Sequence, residues 1–164
     1  MNNMAAHTPA PTAAEAMHVI ARVGSERFAF RVADVEEVLD APAIVAAPIA
    51  PPGLAGQIRH RDRMIRAYDA AWTFGVARWN VATTALVIRV AGDRIALLVD
   101  DVEDLTALAP DVLRAAPPGT DPGGLLRGVC LPRECAASGA AHGALVAVVN
   151  AAAVVSRASQ AVRA

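Results

Sequence analysis

The sequence predicts an all-β protein of the small-barrel class. Three observations carry that expectation: short runs of alternating or doubly apolar residues, tight turns between them, and long loops rich in proline and glycine with little helical periodicity. Residues 1–16, an Ala/Pro/Thr mixture with little to bury, read as a disordered N-terminal tail. Val19, Ala21 and Val23 then alternate with polar or small neighbours. Gly24-Ser25-Glu26 supplies a turn, and Phe28, Phe30 and Val32 resume the alternation of a β-hairpin. Asp34 to Leu39 reads as one short helical turn, with Asp34 as its cap and acidic residues in its first turn. Pro42, Pro48, Pro51, Pro52 and Gly53 make 41–56 a loop, with an edge strand at Ile44-Val45.

The clearest strand signal follows. Thr83 to Val90, the turn Ala91-Gly92-Asp93, and Arg94 to Val99 form a second hairpin, apolar on both faces as inside a small closed barrel. The acidic stretch from Asp100 to Leu108 is expected to hold a short turn of helix, and 110–124 another loop. Gly128 to Leu131 and Ala144 to Val149 read as late strands. Asn150 to Val162 reads as an Asn-capped C-terminal helix that docks through Val154, Val155 and Val162. No periodic repeat is evident, although two hairpin-centred halves fit the pattern.

Composition narrows the function. The chain has 164 residues, the size of one ordinary domain or two small lobes sharing a core. Alanine is its commonest residue and contributes little burial energy, so the core rests on Val, Leu and Ile. The formal net charge of −1 supplies no overall field for nucleic acid or an anionic membrane. All 15 basic residues are Arg, which excludes a Walker-type phosphate loop and Schiff-base or kinase chemistry that needs Lys. No secretory signal is visible. The longest uncharged run is interrupted by Gly139, His142, Gly143 and Asn150, and its apolar part falls far short of the roughly 20 residues of a membrane span. A cytoplasmic protein is expected.

The order of motifs resembles a known family. Val35-Glu36-Glu37-Val38-Leu39 is followed by Leu54-Ala55-Gly56-Gln57-Ile58-Arg59-His60-Arg61-Asp62, and a strand ends in Ile65-Arg66-Ala67-Tyr68-Asp69. Phe74-Gly75, Leu97-Leu98-Val99-Asp100-Asp101-Val102 and Leu145-Val146-Ala147-Val148-Val149-Asn150 complete the series. Over roughly residues 17–155 this resembles the CheW-like domain of bacterial chemosensory systems, whose motifs run V-x-E-V-L, G-V-I-N-L-R-G-x-V-I-P-V-V-D-L, F-G, G-L-L-V-D-x-V and L-L-D. The resemblance implies two small five-stranded SH3-like barrels packed side by side, with 156–164 finishing the C-terminal helix. It also implies an adaptor joining a CheA-type histidine kinase, through its regulatory domain, to the cytoplasmic tip of a chemoreceptor at receptor arrays. It implies no catalysis, cofactor or small-molecule substrate, and contact with the membrane only through receptors. Gln57, Arg59, His60, Asp62 and Arg66 depart from the family's Val, Asn, Leu, Gly and Pro, and Asn150 from its Asp. Asp62 suits a Gly position because Asp tolerates a left-handed backbone.

Carried over residue by residue, the resemblance implies a receptor groove between the barrels flanked by Val35, Glu37, Val38 and Arg61, with Val87 and Val99 as apolar wall. The bland alternative makes the valines core and Glu37–Arg61 an internal ion pair. Arg59, Arg61, Arg63 and Arg66 form a basic run, and Asp100, Asp101, Glu103, Asp104 and Asp111 an acidic one. They read as solvated surface or as secondary protein contacts at Arg59, Arg63, Arg66, Asp100 and Asp101. The competing function is a small β-barrel nucleic-acid binder using the Arg59–Arg66 run, against which stand the overall charge and the lack of interleaved aromatics. Tyr68, Trp72, Phe74 and Trp79 either close one barrel or offer an exposed anchor. Cys130, Cys135 and His142 lack a fourth zinc ligand, so no metal site is expected, and Cys130 reads as buried packing. No nucleophile elbow surrounds a serine, and no histidine has an evident partner by spacing.

Overall fold

The structure, a computed structural model, describes residues 15–121, 123–134 and 145–161. Its backbone forms two sheets of mixed pairing. In chain order the strands are β1 (Ala16–Val23), β2 (Glu26–Arg31), β3 (Val35–Asp40), β4 (Ile44–Val45), β5 (Leu54–His60), β6 (Arg63–Asp69), β7 (Thr84–Val90), β8 (Asp93–Val99), β9 (Asp101–Leu108), β10 (Leu126–Cys130) and β11 (Val146–Val149). Helices are few: α1 (Ala70–Phe74) follows β6 and α2 (Ala151–Ala161) follows β11. One sheet has the order β10-β11-β2-β1-β9 and the other β3-β7-β8-β6-β5-β4. Strands from both ends of the chain thus make a terminal barrel, and the contiguous stretch between them a middle barrel, to which β4 adds a short sixth strand.

The two sheets repeat one plan. In each, a hairpin (β1–β2, β7–β8) pairs in parallel with a later or earlier strand: β11 lies beside β2, and β6 beside β8. Each of those strands runs into a helix capped by the polar residue at the junction, Asp69 at the end of β6 and Asn150 just after β11. Asp69 Oδ1 accepts from the Ala71 and Trp72 amides, and Asn150 Oδ1 from the Ala153 amide. The two hairpin-centred halves of the sequence are therefore two copies of a topology.

Apolar residues on both faces of the hairpins have a double use. On β7 and β8, Ala85, Val87, Ala96 and Leu98 fill the middle barrel with Ile58, Ile65 and Ala67. Their neighbours Leu86, Ile88, Ile95, Leu97 and Val99 face the other way, into the largest core. There they meet Phe28 and Phe30 of β2 and Val154 and Val155 of α2. Ile20, Ala29, Cys130, Val146 and Val148 fill the terminal barrel. On β7 and β8 the period-2 pattern sends the smaller residues inward and the larger ones to the seam between barrels. Cys130 is fully buried, as expected, and its sulfur is also disulfide-bonded.

Two acidic segments correct the sequence reading. The helical turn is confined to a 3-10 turn at Val32–Asp34, and Val35–Asp40 is a strand. Asp101–Leu108 is likewise a strand, paired along its length with β1. Long-range pairing overrides the local helix-start signal in both. Residues 1–14 lie outside the described residues, as do Cys135, His142 and Val162. β1 already begins at Ala16, where it pairs with Leu108.

A charged network pins the barrels where the chain crosses between them. Arg78, after α1, reaches Asp69 at 2.9 Å and lies with its Nε 2.9 Å from Asp100 Oδ1, a Coulombic contact not aligned as a hydrogen bond. Asp100 Oδ2 accepts from the Gly24 amide of the β1–β2 turn at 2.7 Å. Gly24 is left-handed (φ 60), and a Cβ there would overlap the Ala77 carbonyl.

Candidate functional site

β6 and β8 run parallel and each starts at a two-residue turn, so the β5–β6 and β7–β8 turns sit at one end of the middle barrel. β3 reaches the same end through β7. Val35 pairs with Ile88 and Glu37 with Val87, which leaves Glu36 as the extra residue of a β-bulge. The bulge breaks the alternation, so that Glu36 and Glu37 both reach the Arg-bearing turns.

Glu36 is the hub. Arg94 binds it in bidentate fashion (Nε 2.6 Å, Nη2 2.9 Å), while Arg61 and Arg89 approach it at 3.4 and 3.8 Å. The Arg94 hydrogen bond is the main reason its carboxyl titrates below the ordinary range, with the charges of Arg94, Arg61 and Arg89 adding to it. Glu37 carries a second contact: its Oε2 lies 2.6 Å from Nε2 of His60, and 3.9 Å from Nε of Arg61. The Arg61 side chain is 64% exposed and that of Glu37 is 40%, whereas His60 is 1% exposed.

Arg61 also has a positive φ (55), so it, not Asp62, takes the left-handed position of the turn; the expectation for Asp62 is corrected. Asp62 needs no such tolerance because the two-residue loop places the strain one residue earlier.

The residues expected at the site divide. Glu37 and Arg61 share this end of the barrel, whereas the half-exposed Val38 pairs with Leu86 further along β7 and the partly buried Val35 packs against the seam core. Val87 and Val99 do not wall a groove: both are fully buried, Val87 inside the middle barrel and Val99 in the seam, because the two faces of their hairpin each meet a core. Arg59 and Arg63 are exposed on the β5–β6 hairpin and Arg66 is half-buried on β6; among the described residues none has a carboxylate partner. Asp100 is corrected from a surface contact to a buried member of the crossing network, whereas Asp101 is exposed. Glu36, His60, Arg89 and Arg94 were not singled out as partners by sequence reading. The signals were present in the Glu36-Glu37 doublet and in Arg89 and Arg94, which face one another across the β7–β8 turn.

A groove of about 730 Å³ does lie between the barrels, at the far end of β6 from Arg61. Phe28, Trp72, Phe74, Leu125 and Arg157 are among its lining residues, and none of the residues expected at a groove lines it. The aromatic expectations split accordingly. Tyr68 is buried and Phe74 stacks on Phe28 at 4.3 Å, closing the seam, while Trp79 is 89% exposed. Trp72 is half-exposed beneath the Arg157 guanidinium, 5.8 Å from its ring.

Among the described residues no group of His, Cys, Asp or Glu could hold a metal ion, and no helix is long and apolar enough to cross a membrane. A family model, the CheW-like domain, matches residues 18–159. Among solved structures, the crystal structure of the scaffolding protein TtCheW from Thermoanaerobacter tengcongensis superposes with a TM-score of 0.68 at 18% identity, covering 82% of this chain and 88% of that one. No curated protein matches the chain.

Proposed function

We propose, from the premise that this chain belongs to the CheW-like domain family, that it couples a chemoreceptor of the methyl-accepting type to a CheA-type histidine kinase. The family consists of non-catalytic scaffolding adaptors, so the chain acts by binding. One observation supports the receptor side of the reading most directly. The family's acidic and basic motif residues, Glu37 and Arg61, approach to 3.9 Å at one exposed end of the middle barrel. An acid and a base side by side at an exposed barrel end suit recognition of a helix, with charge setting its register. The kinase's regulatory domain would be held through barrel–barrel contacts, and the two partners would communicate as a coupling free energy through the shared core. The reading places the protein in the cytoplasm at receptor arrays.

Titration calorimetry against the regulatory domain of the same organism's CheA-type kinase tests the proposal. Micromolar or tighter binding that changes little between low and high salt is the expected result. Failure to bind a folded kinase domain overturns it. Binding of nucleic acid that weakens steeply with salt would move the Arg59–Arg66 run to a phosphate-binding role instead.

A further inference from the structure

We infer that His60 is a positioning residue for the partner contact: buried under the β5–β6 turn, it fixes Glu37 by one carboxylate oxygen and so presents the other to an uncharged hydrogen-bond donor of the partner. This rests on the reading of Glu37 and Arg61 as a contact with the receptor.

The geometry at His60 is unusual. The imidazole is 1% exposed, and its Nε2 lies 2.6 Å from Glu37 Oε2. An ionised carboxylate only accepts, so the imidazole N–H is the donor. Nδ1, equally buried, has no hydrogen-bond partner. A buried polar atom left unpartnered works against folding, and the family's Leu at this position would fill the same apolar space without it. What favours a histidine over leucine here is therefore the contact that its other nitrogen makes. Its one hydrogen bond leads to Glu37.

Fixing Glu37 has a specific effect. The residue stands on an edge strand beside the Glu36 bulge, with its side chain 40% exposed, where an untethered carboxylate would sample several rotamers. His60 and, more loosely, Arg61 both approach Oε2. Oε1 has no partner among the described residues. An ordered acceptor binds without the entropic cost of ordering it. The surroundings select the donor: Arg61 flanks Glu37, and Arg61, Arg89 and Arg94 crowd the adjacent Glu36. A second cation from the partner would meet these three, so an amide or hydroxyl donor on a receptor helix fits better than Lys or Arg.

The experiment titrates the full chain with the receptor's cytoplasmic-tip fragment from the same organism, comparing wild type, His60→Leu, His60→Gln, Glu37→Ala and the double variant H60L/E37A. Melting temperature shows that each is folded, and H60L should melt no lower than wild type. H60L is expected to bind about tenfold more weakly, and H60Q, which keeps an N–H donor, to recover part of that loss. The double variant should bind no worse than E37A alone, because His60 acts only through Glu37. Proton NMR adds a partner-free reading: a slowly exchanging imidazole N–H resonance in wild type, absent from both H60L and E37A. A wild-type chain that binds the fragment while H60L binds equally well overturns the inference alone, as does additive loss in the double variant or absence of the resonance. A wild-type chain that binds no fragment overturns the receptor reading and the inference with it.

Discussion

Arg61 is a strained residue at a turn where its side chain is wanted. Its left-handed backbone (φ 55) costs an L-residue about 1–2 kcal/mol relative to glycine, and its ion pairs, 3.4 and 3.9 Å long on a side chain 64% exposed, return little of that. Arg61→Gly should therefore raise the melting temperature by about 2–4 °C while weakening the receptor-fragment interaction, measured by differential scanning calorimetry and by titration. A variant that melts lower would show the guanidinium to be structural. His18 presents the opposite case, a titratable group whose role is in the fold. Burial on β1 is the main cause that holds its imidazole below the ordinary value of 6.5, although a 2.7 Å contact between its Nδ1 and the Ala16 carbonyl opposes the shift. Below that ordinary value the unfolded chain takes up a proton that the folded chain resists, so stability is greatest above it and falls as the pH drops. Urea midpoints at about pH 7.5 and about pH 5.5 should differ in wild type, and differ less in His18→Phe.

At the scale of elements, the caps and clamps are separable. Asn150→Ala removes the acceptor for the Ala153 amide at the start of α2 and should cost about 1 kcal/mol in chemical denaturation. Arg114 joins Glu134 through paired hydrogen bonds of 2.5 and 2.8 Å, beside the Arg114–Val129 bridge that extends β10. Those bonds are the main reason the Glu134 carboxyl falls to about 2, well below its ordinary 4.5. Its contribution is present above 4.5 and is lost as the pH falls from there toward 2; the protection factor of the Val129 amide, the exchange rate of an unprotected amide at the same pH divided by its own, should fall over that window in wild type and change less in Glu134→Gln. Element type was legible wherever apolar residues dominated: β1, β2, β7 and β8 stand where alternation and a Gly turn predicted them. β3 and β9 were not, because Asp34-Val35-Glu36-Glu37 and Asp100 to Asp104 carry the chemistry of a helix start, and only pairing with distant β7 and β1 makes them strands. The candidate site was half legible for the same reason. Motif order located Glu37 and Arg61, but the bulge that sets Glu36 between three arginines, and the fold that buries His60 beneath Glu37, depend on cross-strand register.

For the whole molecule, the barrels stand or fall together. The largest core is shared by β1, β2, β7, β8 and α2, so a single unfolding transition is expected by calorimetry and by fluorescence of Trp72 and Trp79 alike. Arg78→Ala should lower stability by about 2 kcal/mol without splitting that transition, since it removes the nearer of the two cations of the buried Asp100 and leaves only Arg22, at 3.4 Å. Two separate transitions would show the seam to be weaker than either barrel. The interleaved connectivity bears on synthesis. Residues 35–99 emerge from the ribosome as one uninterrupted stretch and can close the middle barrel early, whereas β2 gains its parallel neighbour only when 146–148 appear. Until then Phe28 and Phe30 lie against Phe74 and the Leu86, Ile88 and Leu97 face of the middle barrel. The first strands made are thus among the last completed, and a chain truncated before β11 would leave the ribosome with an unfinished barrel resting on a finished one, a ready substrate for proteolysis.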